Sequence, residues 1–249
     1  MPRYFLELSY KGTLFSGFQV QENANTVQSE VEKAFHIFLR RQVVLTGSSR
    51  TDAGVHALQN FFHFDWEGKF ETAWLYNLNA LLPPDIVLKG VYHVADDAHC
   101  RFDAVSRRYR YYIYQRKDPF MQDRGWYYPF PINSEVLHTA AAFVKMQNDF
   151  IAFSKRNTQV NNFRCTIYES CWVQEQGGWV YEVQGNRFLR GMVRALVGTM
   201  VKHARSGAGV EAMELLFKGG KQASADFSAP AQGLFLKEVQ YPAGLLQPI

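Results

Sequence analysis

Residues 47–57 read GSSRTDAGVHA, and this stretch decides how the rest of the chain is interpreted. Arg50 and Asp52 lie between small residues and Gly54, so a guanidinium and a carboxylate share one tight connection. The spacing alone favours an ordinary turn, in which Asp52 caps the backbone and Arg50 is solvated. Asp52 and His56, at i and i+4, also have the spacing of half a metal site, although the neighbouring sequence offers no third ligand.

Residues 107–117, RRYRYYIYQRK, carry five cations and no acid. If they form a strand, Tyr109 and Tyr111 share one face while Arg108 and Arg110 share the other. Guanidinium groups beside aromatic rings are typical of surfaces that contact phosphates and stack on bases. An exposed strand with solvated arginines and core-covering tyrosines explains the same pattern equally well.

A third basic segment, residues 186–198, reads NRFLRGMVRALVG. The apolar spacing predicts a helix over about residues 188–202, with Arg187, Arg190 and Arg194 on one side of it. Arg187 and Arg190 fit a solvated surface. Arg194 has apolar neighbours on both sides, so we expect it to be partly buried and to have an acidic partner.

The composition of the 249 residues is that of a folded globular protein. Hydrophobic residues make up 47% and charged residues 20%, and 27 Lys and Arg against 23 Asp and Glu give a net charge of +4. This mild excess permits a polyanionic partner without requiring one. The three cysteines form no CxxC pair, which argues against a disulfide scaffold and a cysteine-rich zinc site and for the cytoplasm. No apolar run is long enough to predict a membrane helix or a secretion signal.

Strand and helix patterns alternate in two successive parts of the chain. Residues 3–10 predict a strand, and Thr26 is a suitable N-cap for the helix that follows it. A second part, beginning near residue 104, opens with its own Arg-Tyr-rich strand and later supplies helices. We therefore predict an α+β protein with mainly antiparallel sheets and two domains, residues 1–103 and 104–249.

Together, the three segments resemble the catalytic loop and the second and third motifs of the tRNA pseudouridine synthase A family. Weaker matches run in the same order along the chain: Tyr10-x-Gly12 to Gln21, Thr26-Val27-Gln28, Asn79-x-x-Leu82-Pro83-x-Asp85-Ile86, Arg101-Phe102-x-Ala104 and Gly233-Leu234-x-Leu236. This order is more specific than any single motif. Lys11, Phe18 and Ala152 depart from the family pattern, which usually has aspartate, tryptophan and serine there.

The resemblance implies two α/β subdomains flanked by helices, with a cleft between them. The first, residues 1–103, is expected to carry the catalytic aspartate loop, and the second, residues 104–249, the tyrosine strand and the arginine helix. It also implies a reaction: a uridine leaves its stack, its C1′–N1 bond breaks, and the uracil rotates and rejoins through C5.

The resemblance assigns Asp52 as the nucleophile, attacking either the ribose C1′ or the uracil ring. It implies that Tyr109 stacks on the target base, that Arg194 pairs with Asp52 and that Arg50 contacts RNA. An arginine beside the aspartate suits this role, because its fixed charge keeps a carboxylate ionised in a site with little water. The remaining substrate contacts implied by the resemblance are Arg108, Arg110 and Leu234.

By resemblance, the substrate is tRNA, modified at positions 38 to 40 of the anticodon stem-loop by a cytoplasmic homodimer. The isomerisation involves neither redox change nor net hydrolysis, so we expect no metal, nucleotide or other cofactor. Two alternatives remain open: a non-catalytic RNA-binding protein on the same scaffold, and a base-releasing glycosidase that uses the same carboxylate with water.

Overall fold

The computed structural model describes residues 1–155, 162–175 and 177–249. The strands in these ranges are β1 (Arg3–Tyr10), β2 (Thr46–Gly47), β3 (His56–Asp65), β4 (Ile86–Val94), β5 (Ser106–Tyr114), β6 (Trp126–Tyr127), β7 (Ile167–Glu175), β8 (Gly178–Gly185), β9 (Leu234–Gln240) and β10 (Gln247–Pro248). The α-helices are α1 (Val27–Leu39), α2 (Trp74–Leu81), α3 (Ser134–Lys145), α4 (Met192–Ser206) and α5 (Val210–Lys218).

The chain divides into two compact units whose boundaries differ from the predicted domains. The first unit is Met1–Val105 together with Phe235–Ile249, and the second is Ser106–Leu234. The C-terminal segment belongs to the first unit because β9 pairs with β3 and β10 pairs with β4. Such pairing between distant parts of the chain leaves no signal in the local sequence pattern.

The sheet of the first unit has the strand order β10-β4-β1-β3-β9, and β2 also pairs with β3. These pairings are antiparallel except that of β3 with β9, where His56 and Ala57 lie opposite Phe235 and Leu236. The central strand β1 is buried on both faces, since Phe5 is as inaccessible as the residues on either side of it. A strand with neighbours on both edges and cover on both faces gives the unit a rigid centre.

Helix α1 begins as the sequence predicts. The Thr26 hydroxyl accepts a hydrogen bond from the backbone N–H of Ser29 at 3.2 Å, and the Ser29 hydroxyl accepts one from the Thr26 N–H at 3.0 Å. This reciprocal cap satisfies two of the donors that a helix start leaves unpaired. The helix packs on β3 through Phe35, whose ring lies 5.4 Å from that of Phe64.

In the second unit, β5, β8 and β7 form an antiparallel sheet, and β6 runs parallel to β5. Gly177 precedes β8 with a positive φ of 79°, as expected for the predicted hairpin turn. Helix α3 buries the predicted stripe, which consists of Leu137, Ala140, Ala141 and Val144. The described part of the chain thus confirms the α+β class with mainly antiparallel pairing.

Helix α4 begins later than the sequence predicts. Gly191, with φ 75°, occupies the N-cap position, so the helix starts at Met192 instead of residue 188. Arg187 and Arg190 therefore precede the helix and do not share a helical face with Arg194, contrary to the prediction. Across the described ranges, none of the helices combines the length and the apolar character that a bilayer crossing requires.

Candidate active site

Asp52 lies in the connection between β2 and β3, and backbone hydrogen bonds hold this connection at several points. The N–H of Ser48 donates to the carbonyl of Phe61 at 2.8 Å, and the N–H of Phe18 donates to the carbonyl of Thr51 at 3.2 Å. Within the turn, the N–H of Val55 donates to the carbonyl of Asp52 at 3.2 Å. The backbone on both sides of the carboxylate is therefore fixed.

Three buried polar side chains, those of Tyr10, Thr51 and Asn60, form hydrogen bonds that hold this loop. The hydroxyls of Tyr10 and Thr51 share a hydrogen bond of 2.7 Å. The side-chain amide of Asn60 donates to the Tyr10 hydroxyl at 3.2 Å and to the carbonyl of Ser49 at 3.0 Å. Because Asn60 donates to Tyr10, the phenolic proton is available for Thr51. Buried polar groups persist when they are satisfied in this way, and here they tie the loop to β1 and β3.

The preceding segment, residues 11–19, packs against the Asp52 loop at two glycines. A Cβ on Gly12 would lie 2.0 Å from the carbonyl oxygen of Val55. Gly17 has φ 108°, and its Cβ would lie 3.2 Å from the carbonyl oxygen of Thr51. The first position has no room for a side chain, and the second needs the backbone freedom of glycine.

The loop leaves Asp52 half-buried and Arg50 exposed. His56, by contrast, is almost fully buried, and its ring stacks on Phe235 with 4.5 Å between centroids. Its Nδ1 accepts the N–H of Gly12 at 3.0 Å. His56 thus has a packing and hydrogen-bonding role, which weighs against its pairing with Asp52 as a metal ligand.

In the second unit, Tyr109 and Tyr111 lie on one face of β5, as the alternation predicts. Tyr109 is half-buried, and the ring of Phe188 meets it edge-on at 5.1 Å. Tyr111 is fully buried and donates its hydroxyl to the carbonyl of Pro230 at 2.8 Å. A Cβ on Gly233 would lie 2.6 Å from the Tyr111 ring, so the 230–233 segment packs directly on this tyrosine.

Arg194 is half-buried in the first turn of α4, and its Nε donates to the carbonyl of Ala229 at 2.7 Å. Burial raises the pKa of the Tyr111 hydroxyl well above its usual value, and the positive charge of Arg194 partly opposes that increase. The N-terminal end of a helix also carries a partial positive charge. Arg194 and the start of α4 therefore create a positive potential that favours an anion.

Gly198 allows the chain to cross α4 one turn beyond Arg194. Its Cβ would lie 2.5 Å from the carbonyl oxygen of Asp226, and the Asp226 N–H donates to the Thr199 hydroxyl at 2.9 Å. The crossing segment continues to Ala229, which accepts the Arg194 hydrogen bond. The glycine is therefore part of what positions Arg194.

Arg108 and Arg110 lie on the opposite face of β5 from Tyr109 and form ion pairs with the neighbouring strands. Arg108 lies 2.7 Å from Glu169 and 3.6 Å from Glu182, and it donates to Gln184 at 2.6 Å. Arg110 pairs with Glu182, which is directly opposite it on β8. The two guanidinium groups are thus paired instead of simply solvated, and their contact with RNA remains a prediction.

Leu234 is buried and carries no polar group, so any part it plays in a site is that of an apolar wall. Phe18, one of the departures from the family pattern, is also buried; its ring stacks on Phe62 at 4.6 Å and on Tyr10 at 5.6 Å. A Cβ on Gly47 would lie 2.4 Å from the Phe18 ring. This departure therefore lies in the packing beneath the Asp52 loop.

The sequence reasoning did not single out Asn60 or Thr51 as supports of the loop. The available signal was a polar residue inside the apolar strand stretch ALQNFFHF, residues 57–64. An amide at such a position is buried only if it has partners, which makes it a candidate for holding a loop.

Comparisons with known proteins identify the family of the chain. The family model described as tRNA pseudouridine synthase matches residues 8–103 and 147–242. The chain is 39% identical over 247 residues to the tRNA pseudouridine synthase A of Parabacteroides distasonis, covering 98% of each chain. It is 40% identical over 250 residues to the Porphyromonas gingivalis protein of the same name, covering 98% of this chain and 99% of the relative. A Staphylococcus aureus protein of that name is 38% identical over 240 residues, covering 95% of this chain and 90% of the relative. The chain therefore belongs to the tRNA pseudouridine synthase family.

Proposed function

We propose that this chain converts uridine to pseudouridine at positions 38 to 40 in the anticodon stem-loop of tRNA, with Asp52 as the nucleophile. Family membership over nearly the whole chain supports a tRNA isomerase. The observation that carries the assignment to Asp52 is its half-buried position on a loop fixed by Tyr10, Thr51 and Asn60.

The chemistry needs an ionised carboxylate held in one place. Asp52 attacks the flipped uridine at C1′ or at the ring, the C1′–N1 bond breaks, and the uracil rotates. A new C1′–C5 bond forms, C5 loses its proton to solvent, and the carboxylate is regenerated. A rigidly held nucleophile loses little conformational freedom on reaching the attack geometry, which is a major source of rate acceleration.

Arg194 and Tyr109 complete the proposed catalytic group. Arg194 pairs with Asp52; the positive potential at the start of α4 supports this role, because it favours a carboxylate. Tyr109 stacks on the target base, and the edge-on contact with Phe188 supports a fixed ring orientation. Arg50, which is exposed, contacts RNA, and Leu234 supplies an apolar wall.

Arg108 and Arg110 are proposed to contact the phosphate backbone of the tRNA, outside the catalytic group. This contact requires that they first leave their carboxylate partners. Glu169 and Glu182 already neutralise them in the free protein, so each guanidinium must exchange a carboxylate for a phosphate oxygen. The proposal also includes a cytoplasmic homodimer with tRNA crossing both subunits, and a reaction without metal or cofactor. These parts follow from the resemblance and from the balance of the reaction.

The test is tritium release from tRNA labelled at uridine C5. The chain is expected to release tritium and form pseudouridine, whereas Asp52→Asn should abolish release and still bind tRNA. Substantial turnover by the Asn variant would exclude Asp52 as the nucleophile. Tight binding without release by the unmodified chain would indicate a non-catalytic RNA-binding protein, and free uracil would indicate a glycosidase.

A further inference from the structure

A cluster of nitrogen and sulfur donors lies in the first unit, among residues that the proposed mechanism does not use. His63 is on β3, and His99 and Cys100 are in the segment after β4. One donor atom from each of the three side chains lies within 4.8 Å of the other two. His63 and Cys100 are buried and His99 is half-buried, so His99 is the most accessible member of the cluster.

Both imidazoles direct a lone pair toward the same piece of backbone. Nδ1 of His63 accepts the N–H of Cys100 at 3.3 Å, and Nδ1 of His99 accepts the N–H of Arg101 at 3.1 Å. A ring nitrogen that accepts an N–H is unprotonated, and because it has one lone pair, a metal that binds Nδ1 must take the place of the backbone N–H. The Cys100 sulfur lies 3.2 Å from Nδ1 of His63 and 3.1 Å from the Thr46 carbonyl, to which the thiol donates.

These distances are near those of a coordinated metal. Zinc bonds of about 2.0 Å to nitrogen and 2.3 Å to sulfur put a tetrahedral nitrogen and sulfur about 3.5 Å apart and two nitrogens about 3.3 Å apart. The His63–Cys100 pair is already at that scale, and each donor atom of the cluster lies within 4.8 Å of the other two. His99 is the ligand best able to adjust its position, because it is the most accessible of the three and lies against Phe102, which is 72% exposed.

We propose that His63, His99 and Cys100 bind a divalent transition metal of the zinc type, with water as the fourth ligand. Two imidazoles and a thiolate suit zinc and exclude magnesium and calcium, which prefer oxygen. Binding replaces the Cys100 S–H bond with a metal–sulfur bond and releases the proton to solvent. The carboxylate of Asp103, which accepts the backbone N–H of His99 at 2.7 Å, contributes nearby negative charge.

The site is structural and has no part in the isomerisation. It joins β3 to residues 99–100, beside Thr46 on β2, the strand that leads into the Asp52 loop. Tyr241 strengthens this connection, since its hydroxyl lies 2.5 Å from the Cys100 carbonyl and 3.2 Å from the Ser48 hydroxyl. A bound metal is therefore expected to stabilise the first unit around the start of that loop.

Cobalt titration of the full chain, reduced and freed of metal by a chelator, tests the proposal. One equivalent of Co²⁺ should give the strong visible absorption of a tetrahedral site and a thiolate-to-cobalt charge-transfer band, both removed by one equivalent of Zn²⁺. Cys171→Ser is the matched control, because Cys171 is an exposed thiol outside the cluster. It should keep both signals, whereas Cys100→Ser should lose the charge-transfer band and bind Zn²⁺ at least about 10-fold more weakly.

His99→Gln provides a second route if Cys100→Ser does not fold. His99 is only half-buried, so this variant should fold and bind Co²⁺ at least about 10-fold more weakly. The exposed His138 supplies the control His138→Gln, which should leave the Co²⁺ spectrum unchanged. The proposal is overturned if the unmodified chain binds no stoichiometric Co²⁺, or if the folded Cys100 or His99 variants bind it as the unmodified chain does.

Discussion

The hydroxyl of Tyr10 on β1 lies 2.7 Å from the hydroxyl of Thr51, the residue before Asp52. Asn60 on β3 donates to the same tyrosine oxygen. Two neighbouring strands therefore hold the loop through side chains, in addition to its backbone contacts. The position of the carboxylate thus depends on residues that need not touch the substrate, and substitutions there are expected to alter turnover.

Tyr10→Phe removes the hydroxyl and keeps the ring. Thr51 and Asn60 are each deprived of a buried hydrogen-bond partner, so the free energy of unfolding should fall by about 1–3 kcal/mol. The single-turnover rate should fall while the affinity for tRNA changes little, because the nucleophile is less well positioned. Urea unfolding and pseudouridine formation measure the two effects. Tyr76→Phe is the control, since Tyr76 is 80% exposed on α2; equal behaviour of the two variants would contradict the role given to Tyr10.

Gly12→Ala introduces a methyl group 2.0 Å from the carbonyl oxygen of Val55. No side-chain rotation relieves a clash with backbone, so residues 11–19 and the Asp52 loop must separate. We expect a loss of stability of about 1–3 kcal/mol, as for other overpacked buried positions, together with a lower rate of pseudouridine formation. Gly90→Ala is the matched control on β4, because the nearest neighbours of its methyl group are atoms of the Tyr92 side chain, the first at 3.3 Å. If Gly12→Ala behaved like Gly90→Ala in unfolding and in turnover, the close approach would not support the loop.

The local patterns were sufficient to predict much of the fold. The Thr26 cap predicted the start of α1, and the paired glycines predicted the β7–β8 turn. The predicted start of α4 was wrong, because the apolar spacing continues upstream of Gly191. The helix in fact begins after this glycine, which is the N-cap and has a left-handed backbone conformation. The return of residues 235–249 to the first unit depends on strand pairing over long sequence distances, which no local pattern encodes.

For the candidate site, the sequence identified the central residues but not the contacts that support them. Family motifs identified Asp52, Tyr109 and Arg194, whose individual roles stay predictions. The support from Asn60 was missed: an amide inside an apolar strand stretch indicates a buried polar contact, but the spacing along β3 does not show which loop it holds. The carboxylates beside Arg108 were also missed, since they come from β7 and β8 and depend on the strand register.

Arg194→Lys keeps the positive charge but removes the Nε that donates to Ala229. Lysine provides a flexible point charge in place of a planar group with fixed donors, so the cation should be less precisely placed. We expect the turnover rate to fall by roughly 10- to 100-fold, a cost typical of small misplacements, with tRNA affinity nearly unchanged. Arg190→Lys is the control, because Arg190 is exposed and precedes the helix. Single-turnover kinetics and filter binding measure both quantities; a full-rate Arg194→Lys enzyme would show that only the charge matters.

Glu182→Gln tests whether Arg108 and Arg110 contact phosphates. Glu182 pairs with both arginines, so its removal frees positive charge on this face of β5 without removing a cation. If the arginines exchange carboxylates for phosphates, this variant should bind tRNA more tightly and with a steeper salt dependence. The double variant Arg108→Gln/Arg110→Gln should bind more weakly and with a shallower slope, because the slope decreases by roughly 0.7–0.9 for every phosphate that the protein no longer neutralises.

A comparison of Glu182→Gln with Glu30→Gln distinguishes a direct contact with RNA from a general effect of net charge. Glu30→Gln changes the net charge by the same amount as Glu182→Gln, but at an acidic residue in the first turn of α1. A general effect of net charge would make the two glutamine variants bind alike, whereas a local contact predicts the tighter binding only for Glu182→Gln. Salt titration of tRNA binding measures all of these variants. If Arg108→Gln/Arg110→Gln and Glu182→Gln both left the salt dependence of tRNA affinity unchanged, this face of β5 would be excluded from the RNA-binding surface. Arginines that stay paired with carboxylates and never contact a phosphate release no counterions from the RNA.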